Sequence, residues 1–367
     1  MFDFIPIEQY SEFYVNIILL ACGITYFHTL VLKPTDVKVF HFNRFFGILL
    51  LLFVLLYIGT RPIHGEFVDM MTYAQTFEQI RLGLLEIGKG DAGFEYFMLL
   101  CTQITNVEGF FFISACIYVI PLFIASKNWF PQYYLFAFLV LIASFSFWTY
   151  GVNGIRNGMA TSLFVLALSY QEKNKIVMIV FFFLSFMFHK SMMLPLAAFG
   201  VTFFLKDTQK YYFFWVLGIL LSISMGGVWI SLFTSLGFGD DRLAGYLSGT
   251  ADPSKFSSTG FRFDFLLYSA APLALAFHYI FKKGFNDPFY KQILHTYIVA
   301  NAFWIMIIRA NFSNRFAYLS WFLMGIVVIY PILKTQIWPQ HFKKVGIVVV
   351  LYYAFTFFMH YYYQYRG

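Results

Sequence analysis

The stretch FFGILLLLFVLLYIGT, residues 45–60, contains no charged side chain. In hydrocarbon no water is present to bond the backbone. Every N–H and C=O of such a run must therefore be paired within its own segment, which makes it a helix rather than a strand. Similar apolar runs fall at 14–31, 107–125, 132–148, 155–170, 176–188, 192–205, 211–233, 263–281, 293–308, 316–333 and 345–362. Crossing about 30 Å of hydrocarbon takes about 20 helical residues, so the runs read as about twelve transmembrane helices, within a range of about 11–14. Those at 155–170, 176–188 and 192–205 fall short of that length and read as tilted, broken or half-spanning. Residues 94–104 add an apolar piece too short to cross alone, an amphipathic or re-entrant helix packed under the preceding loop. Composition agrees: of 367 residues 60% are hydrophobic, 23% aromatic and only 12% charged, which excludes a soluble domain. The expected fold is all-α, a polytopic integral membrane protein with a single transmembrane domain over residues 1–367. Outer loops 61–93 and 236–262 would build one of its faces.

Assigning the loops alternately to two sides separates the charges. Loops 32–44, 127–131, 171–175, 206–210, 282–291 and 334–344 hold 14 basic residues against the acids Asp36, Glu172, Asp207 and Asp287. The other side holds 11 basic against 14 acidic residues, and the two nets, +10 and −3, account for the chain's +7. The excess of Lys and Arg marks the first side as cytoplasmic, with both termini outward. The opening MFDFIPIEQYSEFY has three acids and no Lys or Arg, the reverse of a signal peptide's basic start, so the first helix is expected to be retained.

The two sides also differ in which base they use. The cytoplasmic side has 13 Lys and only Arg44, whereas the outer side has Lys89, Lys190 and Lys255 but eight Arg: Arg61, Arg81, Arg156, Arg242, Arg262, Arg309, Arg315 and Arg366. A lysine suffices as a topology charge, while the planar guanidinium fork suits bidentate recognition of phosphate or carboxylate. The outer face therefore reads as one that binds an anion. Arg156 in VNGIRNG and Arg315 in FSNRFAY each follow an Asn or Ser placed to cap the start of a helix. A cation there opposes the helix dipole, an arrangement that makes sense if an anion is bound by both the arginine and the first-turn N–H groups. The competing explanation is that each arginine reaches out to lipid headgroup phosphate.

His189 in FMFHKSMMLP lies at an outer turn, with Ser191 placed to cap the next helix. It can bond a phosphate or a sugar hydroxyl. The first outer loop adds Arg61, Glu66, Asp69, Tyr73, Asp91 and Glu95, and Tyr73 shares a helix face with Asp69 if VDMMTYAQTFEQI is helical. Asp240 and Asp241 in FGDDR read as solvated acids of a long loop. Cys22, Cys101 and Cys116 all lie in apolar runs and read as small hydrophobes. The eight histidines lack the spacing of a helix-borne metal site. No metal, cofactor or nucleic-acid partner is expected.

The order TRPIHGEFVDMMTYAQTFEQI (60–80), GDAGFEYFMLL (90–100), NGIRNGMATSLFVLAL (153–168), FMFHKSMMLPLAAF (186–199) and RFAYLSWF (315–322) resembles the EpsG-like family of polytopic membrane proteins, grouped with Wzy-type polysaccharide polymerases. The family pattern falls on Arg61, Asp69, Tyr73, Asp91, Glu95, Arg156, His189 and Arg315. In IRNGMA, Asn157 stands where an Arg-Gln pair is common in the family. The resemblance implies a GT-C-like fold and polymerisation of undecaprenyl-diphosphate-linked repeat units by inverting glycosyl transfer, outside a bacterial cytoplasmic (inner) membrane. Donor and acceptor would both be lipid-linked, with a chain-length regulator and a flippase as further partners in the bilayer.

The residue types suit that chemistry. Glycosyl transfer from a diphosphate passes through an oxocarbenium-like state while negative charge builds on the leaving group. Arg156 and Arg315 are placed to meet it, and Arg61, Arg309, Tyr73 and Asp91 are further substrate-binding candidates. Asp69, Glu95 and His189 are the candidates for accepting the proton of the attacking hydroxyl, with the carboxylates favoured. Two other readings compete. A lipid-linked oligosaccharide flippase would carry titratable groups deep in its spans and internal repeats. Apart from His278 and His295 the spans hold almost none, and no repeat is evident. An O-antigen ligase or other GT-C transferase would share the outer arginines and differ in its acceptor.

Overall fold

The computed structural model describes residues 2, 4–34, 36–88, 90–235, 260–310 and 313–366. Asp240, Asp241 and Arg242, with most of loop 236–262, lie outside the described residues. Every regular element described is a helix, and all twelve apolar runs fall on helices, as does 94–104. Seven of the described helices are long and apolar enough to cross a bilayer, or eight if a bent pair counts as one span. The protein is thus an all-helical, multi-pass membrane protein. Helices of 14 or 15 residues reach only about 21–23 Å, so the runs at 176–188 and 155–170 do not cross by length alone. The helix over 293–308 is long enough but carries Lys291, Gln292, His295, Thr296 and Asn301.

By its internal contacts the chain divides into two compact units, Met1–Met193 with Ile332–Tyr362, and Leu194–Pro331 with Tyr363–Gly367. The first opens with α1 (Tyr10–Val31) and α2 (Val37–Gly59). These are tied by a reciprocal pair in which Tyr10 and Tyr57 each donate a hydroxyl to the other's carbonyl (3.0 and 2.7 Å), with their rings stacked at 4.3 Å. The segment after α2 folds into α3 (Asp69–Arg81) and α4 (Ala92–Ile104). On α4 the buried residues are Phe94, Met98 and Cys101, one stripe at helical spacing, which is the amphipathic helix the sequence implies.

Next come α5 (Val107–Trp129), capped by Asn106, and the bent pair α6 (Tyr134–Ile142) and α7 (Phe145–Val152), which meet at 67°. Then α8 (Ile155–Ser169) packs on α5 and on α9 (Lys175–Phe188). Close approach of α8 depends on Gly158, where a Cβ would lie 2.6 Å from the Tyr150 carbonyl and 3.2 Å from the Tyr118 ring. Two buried serines lock the layer: Ser162 donates to the Tyr118 carbonyl and Ser185 to that of Ala160 (2.6 Å).

The second unit contains α10 (Met193–Val201), α11 (Thr208–Ser235), α12 (Phe263–Phe277), α13 (Pro288–Met306), α14 (Asn314–Trp321) and α15 (Met324–Lys334). A last helix, α16 (His341–Arg366), closes the chain. Within the unit the buried amide of Asn301 accepts from Trp215 Nε1 (2.8 Å) and donates to Ser269 Oγ and Ser320 Oγ (3.1 and 3.0 Å), while Trp321 Nε1 donates to Ser269 Oγ (2.8 Å). This network pairs polar groups of four helices where an unpaired one would be costly.

Candidate active site

Loop 82–91 turns back on itself, using Gly83 and Gly88 at positive φ (+70° and +99°). The Glu95 carboxylate holds it, accepting the N–H of Gly88 and that of Gly90, the latter at 2.8 Å. Both oxygens of Glu95 are thereby engaged by its own loop. The turn delivers Asp91 to the N-cap position of α4. There its carboxylate forms no bond to α4's first-turn N–H groups and is turned instead toward α8 and the end of α9.

Gly93 permits this placement. A Cβ there would meet the Cβ and carbonyl oxygen of Met187 at 2.7 Å, so only glycine lets the start of α4 abut the end of α9. His189 follows Phe188 as the C-cap of α9, its backbone extended and its N–H donated to Ser185 (3.2 Å).

These contacts converge on Asp91, which is 4% exposed. Arg156 Nη1 donates to Asp91 Oδ2 at 2.9 Å, and Arg156 Nε donates to the Tyr73 hydroxyl at 3.2 Å. His189 Nδ1 lies 3.5 Å from the same Oδ2, while the Lys190 N–H donates to Oδ1 at 3.0 Å. The Arg156 guanidinium lies 5.7 Å from the Phe94 ring and 6.0 Å from that of Tyr73, and the two rings meet edge to face. A last tie runs from Ser191 Oγ, donating to Asn157 Oδ1 at 3.2 Å. Burial alone would push the Asp91 carboxyl up. The His189 hydrogen bond and charge, the Lys190 amide and the Arg156 guanidinium outweigh it and hold the group below the usual carboxylate range. Asp91 is therefore a fixed anion with cationic or donor groups on both oxygens.

Tyr73, Asp91, Arg156 and His189 thus form one cluster, drawn from four separated stretches of sequence. Asp69 is the first residue of α3, half-buried, and has no hydrogen bond or ion pair among the described residues. Arg61 is buried (5% exposed) in the same unit. Its guanidinium donates to the carbonyls of Ile58 (2.5 Å) and Val152 (3.3 Å), so it binds the C-terminal ends of α2 and α7, where a cation is favoured. Phe111 and Phe67 flank it at 5.3 and 5.8 Å, and burial lowers its pKa to about 10, still charged at neutral pH. In the second unit Arg309 is exposed, with Nη2 donating to the Ile223 carbonyl (3.4 Å), and Arg315 is the exposed second residue of α14.

Two local expectations are corrected. The N-cap of α8 is Gly154 rather than Asn153, and Ser313 stands at the N-cap of α14 without a side-chain bond, so neither arginine follows a working side-chain cap. Nor does Ser191 cap: its N–H lies 3.5 Å from His189 Nδ1, and its hydroxyl is spent on Asn157. Gly93, Met187, Phe94 and the Lys190 amide were not singled out from sequence. The glycine in GDAGFE, two residues after the acid, was the available signal.

Helices long and apolar enough to cross a bilayer, with an acid, a guanidinium, an imidazole and a phenol gathered at helix ends, define a multi-pass membrane protein. The chain matches the EpsG family over residues 44–367, a range that contains the whole cluster, and it belongs to that family of Wzy-type polysaccharide-polymerase-like proteins. No curated protein and no solved structure matches it.

Proposed function

We propose that the protein is a polysaccharide polymerase. It would transfer the glycan of an undecaprenyl-diphosphate-linked donor to the sugar end of a second lipid-linked repeat unit, with inversion, outside the cytoplasmic membrane. The observation that carries this reading is the Arg156–Asp91–His189 cluster, which sets an anion-binding fork and a proton acceptor against one carboxylate. Family membership supports a polysaccharide-polymerase-like activity.

In the proposed reaction the acceptor hydroxyl oxygen bonds to the donor's anomeric carbon as the anomeric C–O bond to the diphosphate breaks. The electron pair leaves with the lipid diphosphate, whose growing charge Arg156 meets. The hydroxyl proton passes to His189 and from there to water. A diphosphate is a good leaving group, so the demand on the protein is electrostatic and positional, and proton acceptance adds about 10²–10⁴ in rate. Glu95, with both oxygens committed to loop amides, is given a structural part. Asp69 is left to accept hydroxyls of the acceptor sugar.

The test is incubation of purified protein in lipid nanodiscs with lipid-linked repeat units, followed by gel separation. A ladder of lengths supports polymerisation. A single transfer product indicates a ligase instead, and movement of the lipid across vesicles without new linkages indicates a flippase.

A further inference from the structure

We infer that Asp91 is a positioning residue that fixes the tautomer of His189, leaving Nε2 as the nitrogen that takes the acceptor's proton, and that it couples this base to Arg156 through a single oxygen. The inference rests on the polymerase reading for what the base acts on, but its structural half stands by itself.

The geometry poses a choice at His189 Nδ1. Two groups lie 3.5 Å from it: Asp91 Oδ2, which needs Nδ1 to carry the proton, and the Ser191 N–H, which needs Nδ1 to be bare. One nitrogen cannot serve both. Both distances are at the long limit for a hydrogen bond, so the chemistry of the partner decides. A hydrogen bond to a charged group contributes roughly twice what a neutral one does. Asp91 is an anion in a largely dry setting, and the Ser191 N–H reaches back only two residues within a tight turn. The carboxylate therefore claims Nδ1–H. The lone pair stays on Nε2, and the side chain keeps 17% of its surface exposed for a substrate to meet.

The second half follows from which oxygen is used. Oδ1 is taken by the Lys190 N–H, so Oδ2 alone faces both Nη1 of Arg156 and Nδ1 of His189. A diphosphate that draws Arg156 toward itself weakens that guanidinium's hold on Oδ2 and frees the oxygen for the imidazole. Donor binding would thereby orient the base. The charged and titratable groups around the imidazole are Asp91, Arg156, Tyr73 and the exposed Lys190, with Glu95 turned to the amides of Gly88 and Gly90.

Asp91→Asn supplies the test, because it keeps the shape and reverses the proton. The Lys190 N–H is fixed by the backbone, whereas Arg156, with 25% of its side chain exposed, can turn to solvent; the asparagine oxygen therefore stays with the Lys190 N–H and its NH2 faces Nδ1, which becomes an acceptor and sends the ring proton to Nε2. Nitrogen-15 histidine NMR of the full chain in nanodiscs, at mildly alkaline pH, reads the tautomer directly, with the His189 signal assigned by its loss in His189→Gln. The expected result is Nδ1–H in the natural protein, Nε2–H in Asp91→Asn, and a fall in kcat on the order of 10²–10⁴ in that variant, with the acceptor KM nearly unchanged. Nε2–H in the natural protein overturns the proposal even if the variant does not fold. So does an Asp91→Asn variant that retains Nδ1–H, or one whose kcat stays within about threefold of the natural protein. Absence of any ladder from the natural protein would refute the polymerase reading while leaving the tautomer result to stand or fall separately.

Discussion

Removing Arg156 and Asp91 singly and together tests whether the ion pair ties α4 to α8. The pair is asymmetric, for Asp91 keeps 5% of its side-chain surface exposed and Arg156 25%. Exposed pairs contribute about 0.2–1 kcal/mol, whereas breaking a buried pair costs about 3–5 kcal/mol because a charge is left stranded. With the acid dry and the base partly wetted, one charge-assisted bond at 2.9 Å falls between, at about 1.5–3 kcal/mol. Arg156→Ala also loses the bond to the Tyr73 hydroxyl, about 1 kcal/mol more, so its total is about 2.5–4 kcal/mol. Asp91→Ala frees Arg156 toward water but strands the Lys190 N–H, and should cost about 2–3 kcal/mol. In the double variant no charge is stranded, and its destabilisation should be smaller than the sum of the singles by about 1.5–3 kcal/mol. The assay is equilibrium unfolding of the purified variants in mixed detergent micelles, with the four proteins compared under one condition. Additivity within about 0.5 kcal/mol would refute the pairing as a structural link between α4 and α8.

Other outcomes follow from the same geometry. Arg156→Lys keeps the charge and loses the fork, so polymer formation should drop about 10²–10³-fold with expression intact; near-normal ladders would remove the bidentate argument. Gly93→Ala drives a methyl into Met187 and should cost about 1–3 kcal/mol, visible as a lower unfolding midpoint and a weakened NMR signature of the His189–Asp91 contact. Because the Asp91 carboxyl is held below its usual range, its stabilising contribution is complete above the unfolded value of about 3.9 and is lost as pH falls through the folded-state value. The stability gap between the natural protein and Asp91→Asn should accordingly stay level from neutral pH to about pH 5 and narrow only below about pH 4. A gap that closes nearer neutrality would show that the carboxylate is not held by these partners.

The helices were legible because their cause is local. A run such as 45–60 contains its own backbone partners, and the stripe of Phe94, Met98 and Cys101 specifies the buried face of α4 without reference to the rest of the chain. The residues of the site could also be named, since an Arg at the start of an apolar helix or a His at a boundary is conspicuous by its cost. What they bind was not legible. Arg156 and Asp91 are 65 positions apart, and nothing periodic links them. Glu95, a candidate base by residue type, has both oxygens claimed by amides of a loop whose path depends on two glycines at positive φ. The expected caps at Asn153 and Ser191 failed for a related reason. A cap is worth about 1 kcal/mol, little enough for packing to override, and the Ser191 hydroxyl is spent on Asn157. The sequence by itself determined that the chain is a bundle of membrane helices and which polar residues stand at their ends, because both follow from hydrocarbon's intolerance of unpaired groups. Only the tertiary structure decided that Asp91 joins Arg156 to His189, because that depends on how closely α4, α8 and α9 approach, and the approach is set by Gly93 against Met187.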